Sequence, residues 1–184
     1  MLAELRRKAS PRALGGRVAQ TDARALGFVD RFALVLCPYS LVTYMTSEDD
    51  VVRMLDSSRR ATTEGGRILL DAFVPQRGVE SDSFRIDYRR PYRGAMLTRA
   101  RRVIALGPRH NRIERRYELA ASDGRVLERI ETGADIRLFE PEDLCRALAD
   151  AGLAIEAAWW DYRSAERPAQ PRFFTVSARR RAAA

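Results

Sequence analysis

The chain has 184 residues, of which 46% are hydrophobic and 32% are charged, and it carries a formal net charge of +8 with only two cysteines. This composition is typical of a one-domain globular protein and excludes a disordered or disulfide-stapled chain. Because no apolar run approaches membrane-spanning length, the sequence also excludes a transmembrane protein and predicts a soluble, cytoplasmic one.

The positive charge comes almost entirely from arginine, since Lys8 is the only lysine. The arginines are interleaved with Asp and Glu and form no single stripe, which indicates solvated faces and makes a nucleic-acid partner the minority interpretation. Cys37 and Cys145 stand in apolar surroundings, which is typical of small buried side chains. With His110 they are too few ligands for a zinc site, so no metal is predicted.

The front of the chain predicts one helix and two strands. Residues 1–9 have the pattern of a short amphipathic helix, and Val18–Thr21 that of a short strand. The stretch "RFALVLC" (31–37) is nearly all apolar, which is typical of a strand buried on both faces of a parallel sheet. We therefore expect a buried parallel sheet to begin in this region.

The next segment predicts a helix followed by a strand. Residues 46–66 begin with Thr46 or Ser47 as a cap, carry acids in the first turn and finish with the glycine pair 65–66. Caps, early acids and terminal glycines are the usual signals of a helix. The stretch "RILLDAFVP" (67–75) then predicts a second buried strand.

The second half of the chain predicts a change of architecture. Residues 79–138 alternate polar and apolar side chains between the turns "GPRHN" and "ASDG", which indicates an antiparallel meander. Residues 139–152 predict a helix with Pro141 in its first turn, and 153–162 and 172–179 predict the closing strands. The prediction is one α/β domain with core 1–78 and 139–184 and an antiparallel cap 79–138.

The order of these motifs resembles a known family. The stretches "QTDARAL", "FALVLCPYSLVTYM", "GGRILLDAFVP", "RLFEPEDLCRALADAGLAIEAAWWDY" and "RFFTVSAR" follow one another as in a class I S-adenosylmethionine-dependent methyltransferase. The resemblance is to small-molecule enzymes with an antiparallel cap over the acceptor pocket, and it covers nearly the whole chain. It implies a Rossmann-like sheet with an antiparallel β insertion.

The chain departs from this family at its front. The family's first strand, its glycine-rich loop and the acidic end of its second strand have no counterpart in the 184 residues. We therefore expect an N-terminally truncated methyltransferase sheet, with the absent elements encoded in frame upstream of Met1. Because that loop would hold much of the cofactor, we also expect S-adenosylmethionine binding to be weak or absent.

The resemblance implies a cofactor-binding set. It comprises Asp22, Ala23, Pro38 and Tyr39. In the family an aspartate after the third strand accepts a hydrogen bond from the adenine amino group, and the next backbone N–H meets the ring; here these are Asp22 and Ala23. The alternative for Asp22 is a turn cap. An aromatic face such as that of Tyr39 attracts a sulfonium cation.

The acceptor side is also implied by the resemblance. The candidate substrate contacts are Ser40, Asp71, Tyr88 and Tyr92. Methyl transfer is an in-line displacement, so catalysis needs mainly orientation, and a base only where the acceptor loses a proton. His110 and Tyr44 are the catalytic candidates, although "GPRHN" also predicts an exposed turn for His110 and Tyr44 equally suits core packing.

Three function classes are thus open. The leading hypothesis is a small-molecule methyltransferase, active or inactive in this shortened form. The alternative is a degenerate relative that no longer methylates and instead binds a ligand, assists a cyclisation or docks a partner. A nucleic-acid binder, including an RNA methyltransferase, is disfavoured because the basic residues form no single stripe.

The truncated sheet also predicts an unprotected edge. Without the family's first two strands, "FALVLC" would be an apolar edge strand, which invites pairing with another chain. Either Val18–Thr21 pairs directly with it, or two chains meet as a homodimer. The link of nine residues is short for a parallel crossover, so the homodimer, or a loosely held N-terminus, is favoured.

Overall fold

The computed structural model describes residues 7–8, 18–75, 81–163 and 165–181. The helix predicted over residues 1–9 thus lies outside the described residues except for 7 and 8. Within the described ranges the chain forms eight strands and two α-helices, arranged as two four-stranded sheets. No helix in these ranges is both long and apolar enough to cross a membrane.

The elements follow one another along the chain. They are β1 (Phe32–Cys37), α1 (Glu48–Ala61), β2 (Thr62–Phe73), β3 (Ser81–Tyr92), β4 (Ala95–Gly107), β5 (His110–Ala120), β6 (Val126–Arg137), α2 (Pro141–Asp150), β7 (Leu153–Trp160) and β8 (Phe173–Arg180). Single turns of 3-10 helix cover Ala23–Ala25 and Leu41–Tyr44.

The first sheet has the strand order β1, β2, β8, β7. β1 and β2 are parallel and are joined by α1, whereas β8 runs antiparallel to both of its neighbours. Leu55 of α1 and Leu148 of α2 are fully buried in one cluster with Ile68, Leu70 and Val176 of the sheet. A parallel pair joined by a helix that packs on the sheet confirms the predicted Rossmann-like α/β class.

Helix α1 begins where the sequence predicts but ends earlier. The Ser47 Oγ accepts a hydrogen bond from the Asp50 backbone N–H at 3.1 Å, which makes Ser47 the cap. The predicted end at residues 65–66 is wrong, because β2 starts directly at Thr62. A Cβ at Gly66 would lie 2.9 Å from the Ala33 carbonyl oxygen. That glycine therefore permits close approach of β1 and β2.

The prediction that β1 is buried on both faces is wrong. Leu34 and Leu36 are 52% and 56% exposed, whereas Cys37, on the opposite face of the strand, is buried. The helices cover only the face that carries Cys37, and among the described residues β1 pairs with β2 alone. The strand predicted at Val18–Thr21 is also wrong, since these residues form no strand and pair with no described strand.

The second sheet is antiparallel throughout, in the order β3, β4, β5, β6. This confirms the antiparallel insertion. Its turns at residues 108–109 and 122–124 coincide with the predicted "GPRHN" and "ASDG". Both turns were predictable because proline, glycine and aspartate impose local backbone conformations that interrupt a strand.

Side chains on the second sheet alternate between two faces. We call the face that carries Val103, Ile113 and Ile136 the inner face, and the opposite one the outer face. These three side chains are buried and cluster with Leu138 and Phe73 of β2. The inner face therefore meets the first sheet at the carboxyl end of β2.

Candidate functional site

A buried carboxylate lies near the carboxyl end of β2. Asp71 is 3% exposed, and its Oδ2 accepts hydrogen bonds from the Ser40 backbone N–H at 2.7 Å and the Ser40 hydroxyl at 2.8 Å. The Tyr162 hydroxyl donates to the same oxygen at 2.9 Å. Hydrogen bonds to a charged acceptor are stronger than neutral ones, so this cluster fixes three segments together. We call Asp71, Ser40 and Tyr162 the Asp71 cluster.

The loop after β1 reaches Asp71 by an unusual backbone path. Tyr39 and Ser40 have φ values of 61° and 54°, in the left-handed region that non-glycine residues rarely adopt. The Thr43 hydroxyl donates to the Ser40 carbonyl at 2.6 Å and holds the turn. Strained backbone of this kind concentrates at functional sites. The turn aims the Ser40 N–H at Asp71 and leaves the Tyr39 residue 88% exposed.

Tyr162 was not among the sequence candidates. It follows Asp161 after β7, and both residues have positive φ, 51° and 63°. The Asp161 Oδ1 accepts backbone N–H groups of Arg172 and Phe173 at 2.8 and 2.9 Å, which pins the turn to the start of β8. Burial and the hydrogen bond to Asp71 raise the pKa of the Tyr162 phenol well above its usual range, so it stays a donor. The "DY" pair directly after an apolar strand was the available signal.

Asp22 lies in an ion pair with its neighbour. Its carboxylate caps the turn Ala23–Ala25, accepting the Arg24 backbone N–H at 2.9 Å, and it also accepts the Arg24 Nε and Nη2 at 3.0 and 2.7 Å. These bonds lower the pKa of Asp22 to about 2. The Arg24 Nη1 continues to Asp50 in the first turn of α1 at 2.8 Å. Because α1 begins after the loop that leaves β1, this contact places Asp22 at the end of the sheet where β1 finishes.

No family model and no curated protein sequence matches the chain. Its structure is nevertheless similar to solved methyltransferases. An S-adenosylmethionine-dependent methyltransferase from Clostridium acetobutylicum superposes with a TM-score of 0.79 at 16% identity, covering 98% of this chain and 71% of that one. A sugar N-methyltransferase from Streptoalloteichus gives 0.72 at 24%, with 96% and 67% covered. The amino pentose methyltransferase from Micromonospora echinaspora gives 0.69 at 20%, with 92% and 67% covered.

The chain has the class I methyltransferase fold. The similarity confirms the fold that the sequence motifs resemble, including the Rossmann-like sheet. In this methyltransferase fold the Asp71 cluster lies at the carboxyl ends of the parallel strands, which is where open α/β sheets place ligands.

The methyltransferase fold brings two of the predicted substrate contacts, Ser40 and Asp71, into direct hydrogen bonding. It places the other two, Tyr88 and Tyr92, elsewhere, on β3 of the second sheet. The Arg90 guanidinium lies 5.3 Å from the Tyr88 ring centroid, and the Arg93 guanidinium 5.1 Å from that of Tyr92. All four remain predicted contacts.

The two catalytic candidates lie on different elements. His110 begins β5 directly after the exposed turn at 108–109, is itself only partly exposed and has its Nε2 2.9 Å from the Thr46 carbonyl oxygen. A carbonyl only accepts hydrogen bonds, so Nε2 carries the proton and ties the second sheet to the start of α1. Tyr44 is 40% exposed at the end of its 3-10 turn and lies outside the buried core.

A groove of about 660 Å³ lies between α1 and α2. Its charged rim is paired internally, as Arg137 contacts Glu48 at 3.3 Å and Arg109 contacts Asp143. The groove lies on the helix side of the sheet, whereas Asp71 alternates with the buried Leu70 and Ala72 and faces the other side. In the described part of the chain no group of three His, Cys, Asp or Glu side chains could hold a metal. We therefore place the candidate site at the Asp71 cluster.

Proposed function

We propose that the chain is an S-adenosylmethionine-dependent methyltransferase that methylates a small molecule by in-line transfer. The observation that supports this most is the Asp71 cluster at the strand ends of a class I methyltransferase fold. The second sheet adjoins the same end of β2 through Phe73 and gives an acceptor a second wall. Pockets between such layers are the usual small-molecule sites of α/β proteins.

S-adenosylmethionine is the proposed cofactor, and the Micromonospora neighbour was solved with it bound. When bound it supplies a methyl group on a sulfonium. Asp22 and Ala23 would meet the adenine edge, while Pro38 and Tyr39 would line the charged portion. The fit is partial: the Tyr39 residue is 88% exposed and its ring can face a cation, but both oxygens of the Asp22 carboxylate already accept hydrogen bonds from Arg24. We accordingly expect weak or absent binding.

The acceptor is proposed to carry an amine on a sugar-like body. The neighbours include an amino pentose methyltransferase and a sugar N-methyltransferase. Ser40, Asp71 and Tyr162 would orient it, since the cluster is held rigidly by three hydrogen bonds to one carboxylate oxygen. Where the acceptor amine must lose a proton, Tyr44 and the Nδ1 of His110 are the candidate bases.

A second candidate is the non-methylating relative that binds a ligand, assists a cyclisation or docks a partner. The Arg24–Asp22 pair favours it, because a ligand amine would have to displace Arg24 from the carboxylate.

A homodimer is proposed as well. It is supported by the exposed leucines of β1, and light scattering of the purified chain tests it.

Calorimetric titration with S-adenosylmethionine, followed by transfer of a labelled methyl group to a panel of amino sugars, tests the proposal. We expect slow transfer that Asp71→Asn reduces at least tenfold, because the loop and Tyr162 lose their shared acceptor. Asp135→Asn, which removes an exposed carboxylate of β6, is the matched control. Absence of transfer to every acceptor, in the presence of cofactor far above any measured Kd, would establish the non-methylating alternative.

A further inference from the structure

Three arginines stand side by side on the inner face of the second sheet. Arg85 of β3 pairs in register with Arg101 of β4, and Arg101 pairs with Arg115 of β5. We call these three residues the arginine row. Like charges directly opposite on neighbouring strands destabilise a sheet. An arrangement with this cost indicates that something else neutralises the charge.

The arginine row is only partly neutralised by the protein itself. Asp87 contacts the Arg101 Nε at 3.1 Å and the neighbouring Arg99 Nε at 3.3 Å. Among the residues that the structure describes, Arg85 and Arg115 contact no carboxylate. One carboxylate therefore contacts two of the four guanidinium groups of Arg85, Arg99, Arg101 and Arg115. The Arg99 Nε atom is buried, and its approach to Asp87 does not have the geometry of a hydrogen bond.

The position of the arginine row places it beside the candidate site. It lies two residues outward from Val103 and Ile113, which is a step of about 7 Å along a strand. Those two side chains cluster with Phe73, which follows Asp71 by two residues on β2. The row thus faces the space next to the carboxyl end of β2. The next row outward is aromatic, with Arg99 between the rings of Tyr88 and Tyr117 at 5.9 Å from each centroid.

We propose that the arginine row is a binding site for an oxyanion, either a phosphate or a carboxylate group, carried by the methyl acceptor. Guanidinium groups donate paired N–H bonds in a planar fork that matches both anions. The oxyanion site itself rests on the row alone, whereas its assignment to the acceptor rests on the proposed function. The aromatic row beside it offers flat apolar surface to the uncharged remainder of the ligand.

A small anion fits the row better than a nucleic acid does. A phosphate backbone needs a track of unpaired basic groups along the surface. On the outer face, by contrast, cross-strand carboxylates neutralise the arginines, as in Arg112–Asp135 at 2.6 Å and Arg116–Glu131 at 2.7 Å. Within the arginine row the charge without a carboxylate partner among the described residues belongs to Arg85 and Arg115, and the whole row has the width of two strand spacings, about 10 Å.

Calorimetric titration of the purified chain with pyrophosphate, and separately with malonate, tests the site without cofactor or acceptor. We expect saturable binding that Arg115→Gln and Arg85→Gln each weaken about tenfold, since each removes a charge-assisted contact. The matched control is Arg129→Gln, which removes the same charge from a Glu118-paired position on the outer face. Tighter binding of pyrophosphate assigns a phosphate ligand, and tighter binding of malonate a carboxylate.

Several outcomes would overturn the site. They are an absence of saturable binding to both anions, an equal loss in Arg129→Gln, or RNA binding that is tighter than pyrophosphate binding and depends on the same arginines. Circular dichroism checks that each variant folds, and Arg85→Gln decides the matter if Arg115→Gln does not fold. If anion binding passes these tests but no methyl transfer is detected, the oxyanion site stands. Only its assignment to a methyl acceptor is then overturned.

Discussion

The two faces of the second sheet use arginine in opposite ways. On the outer face four arginines lie opposite an acid on the neighbouring strand: Arg102 and Glu114, Arg112 and Asp135, Arg116 and Glu131, and Arg129 and Glu118. On the inner face Arg85, Arg101 and Arg115 lie opposite one another. The same residue type thus serves internal pairing on one face, whereas on the other Arg85 and Arg115 have no carboxylate partner among the described residues and remain open to a ligand.

This contrast shows that net charge is a poor guide to function. The formal charge of +8 belongs to the whole chain, yet the outer-face arginines contribute almost nothing to the charge available to a partner. Only strand register separates the paired arginines from the unpaired ones, because it determines which side chains are direct neighbours.

The largest expected effect comes from making the inner face resemble the outer one. Arg101→Glu would place a carboxylate directly between Arg85 and Arg115. Because the new carboxylate pairs with both arginines and repels an incoming anion, we expect pyrophosphate affinity to fall about a hundredfold. Calorimetric titration measures the change.

The same substitution, arginine to glutamate, on the outer face is the matched control. Arg112→Glu puts a like charge opposite Asp135 and should lower the free energy of unfolding slightly while leaving pyrophosphate affinity within about twofold. A loss of affinity as large as that of Arg101→Glu would show that total charge, and not the arginine row, governs anion binding.

A smaller effect is expected where a carboxylate is buried. Asp71 is 3% exposed and accepts three hydrogen bonds, so Asp71→Asn should lower the free energy of unfolding by about 2 kcal/mol as donors lose a charged acceptor. Asp135→Asn on the outer face should cost less than about 1 kcal/mol. Urea unfolding followed by circular dichroism gives both values, and equal losses would contradict the structural role assigned to the Asp71 cluster.

The parts of this fold that could be predicted are those set by local sequence. Ser47 as a cap, Pro141 in the first turn of α2 and the turns of the second sheet each depend on a few neighbouring residues. The exposure of β1 could not be predicted, because it depends on which faces other elements cover. The early end of α1 was likewise set by the pairing of Thr62 onward with β1.

The site divides in the same way. Ser40 and Asp71 were predictable as polar residues at strand ends, but Tyr162 reaches Asp71 from 91 residues away through a turn with two positive φ values. The arginine row was missed because arginines in separate strands become neighbours only once the register is known. Sequence alternation assigns a face to each residue but does not assign its partner on the next strand.

A further prediction concerns the paired carboxylate of Asp22. Hydrogen bonds from Arg24 hold its pKa at about 2, below the ordinary 3.8, so this pairing stabilises the fold above about pH 4 and is lost as the pH falls through about 2. In Arg24→Gln the pKa should rise towards 3.8. Titration of the Asp22 carboxyl signal by NMR measures this pKa. Arg53→Gln is the control, because Arg53 acts on Asp22 only through a weaker charge interaction. An unchanged pKa in Arg24→Gln would contradict the pairing.

The smallest effect is expected from a single ion pair of the outer face. Arg116 contacts Glu131 at 2.7 Å, but the two side chains are 33% and 53% exposed, and the Arg116 guanidinium also lies 4.1 Å from the Phe84 ring centroid. Solvent screens the pair and the ring keeps the arginine in place, so Glu131→Gln should lower the free energy of unfolding by less than about 0.5 kcal/mol. Pyrophosphate affinity should stay within about twofold, because Glu131 lies on the face opposite the arginine row. A double-mutant cycle with Arg116→Gln, measured by urea unfolding at low and high salt, isolates the coupling between the two side chains. A coupling above about 1 kcal/mol that persists in high salt would mean that ion pairs of the outer face stabilise the sheet more than exposed ion pairs usually do. The two faces would then differ in their contribution to stability as well as in their access to a ligand.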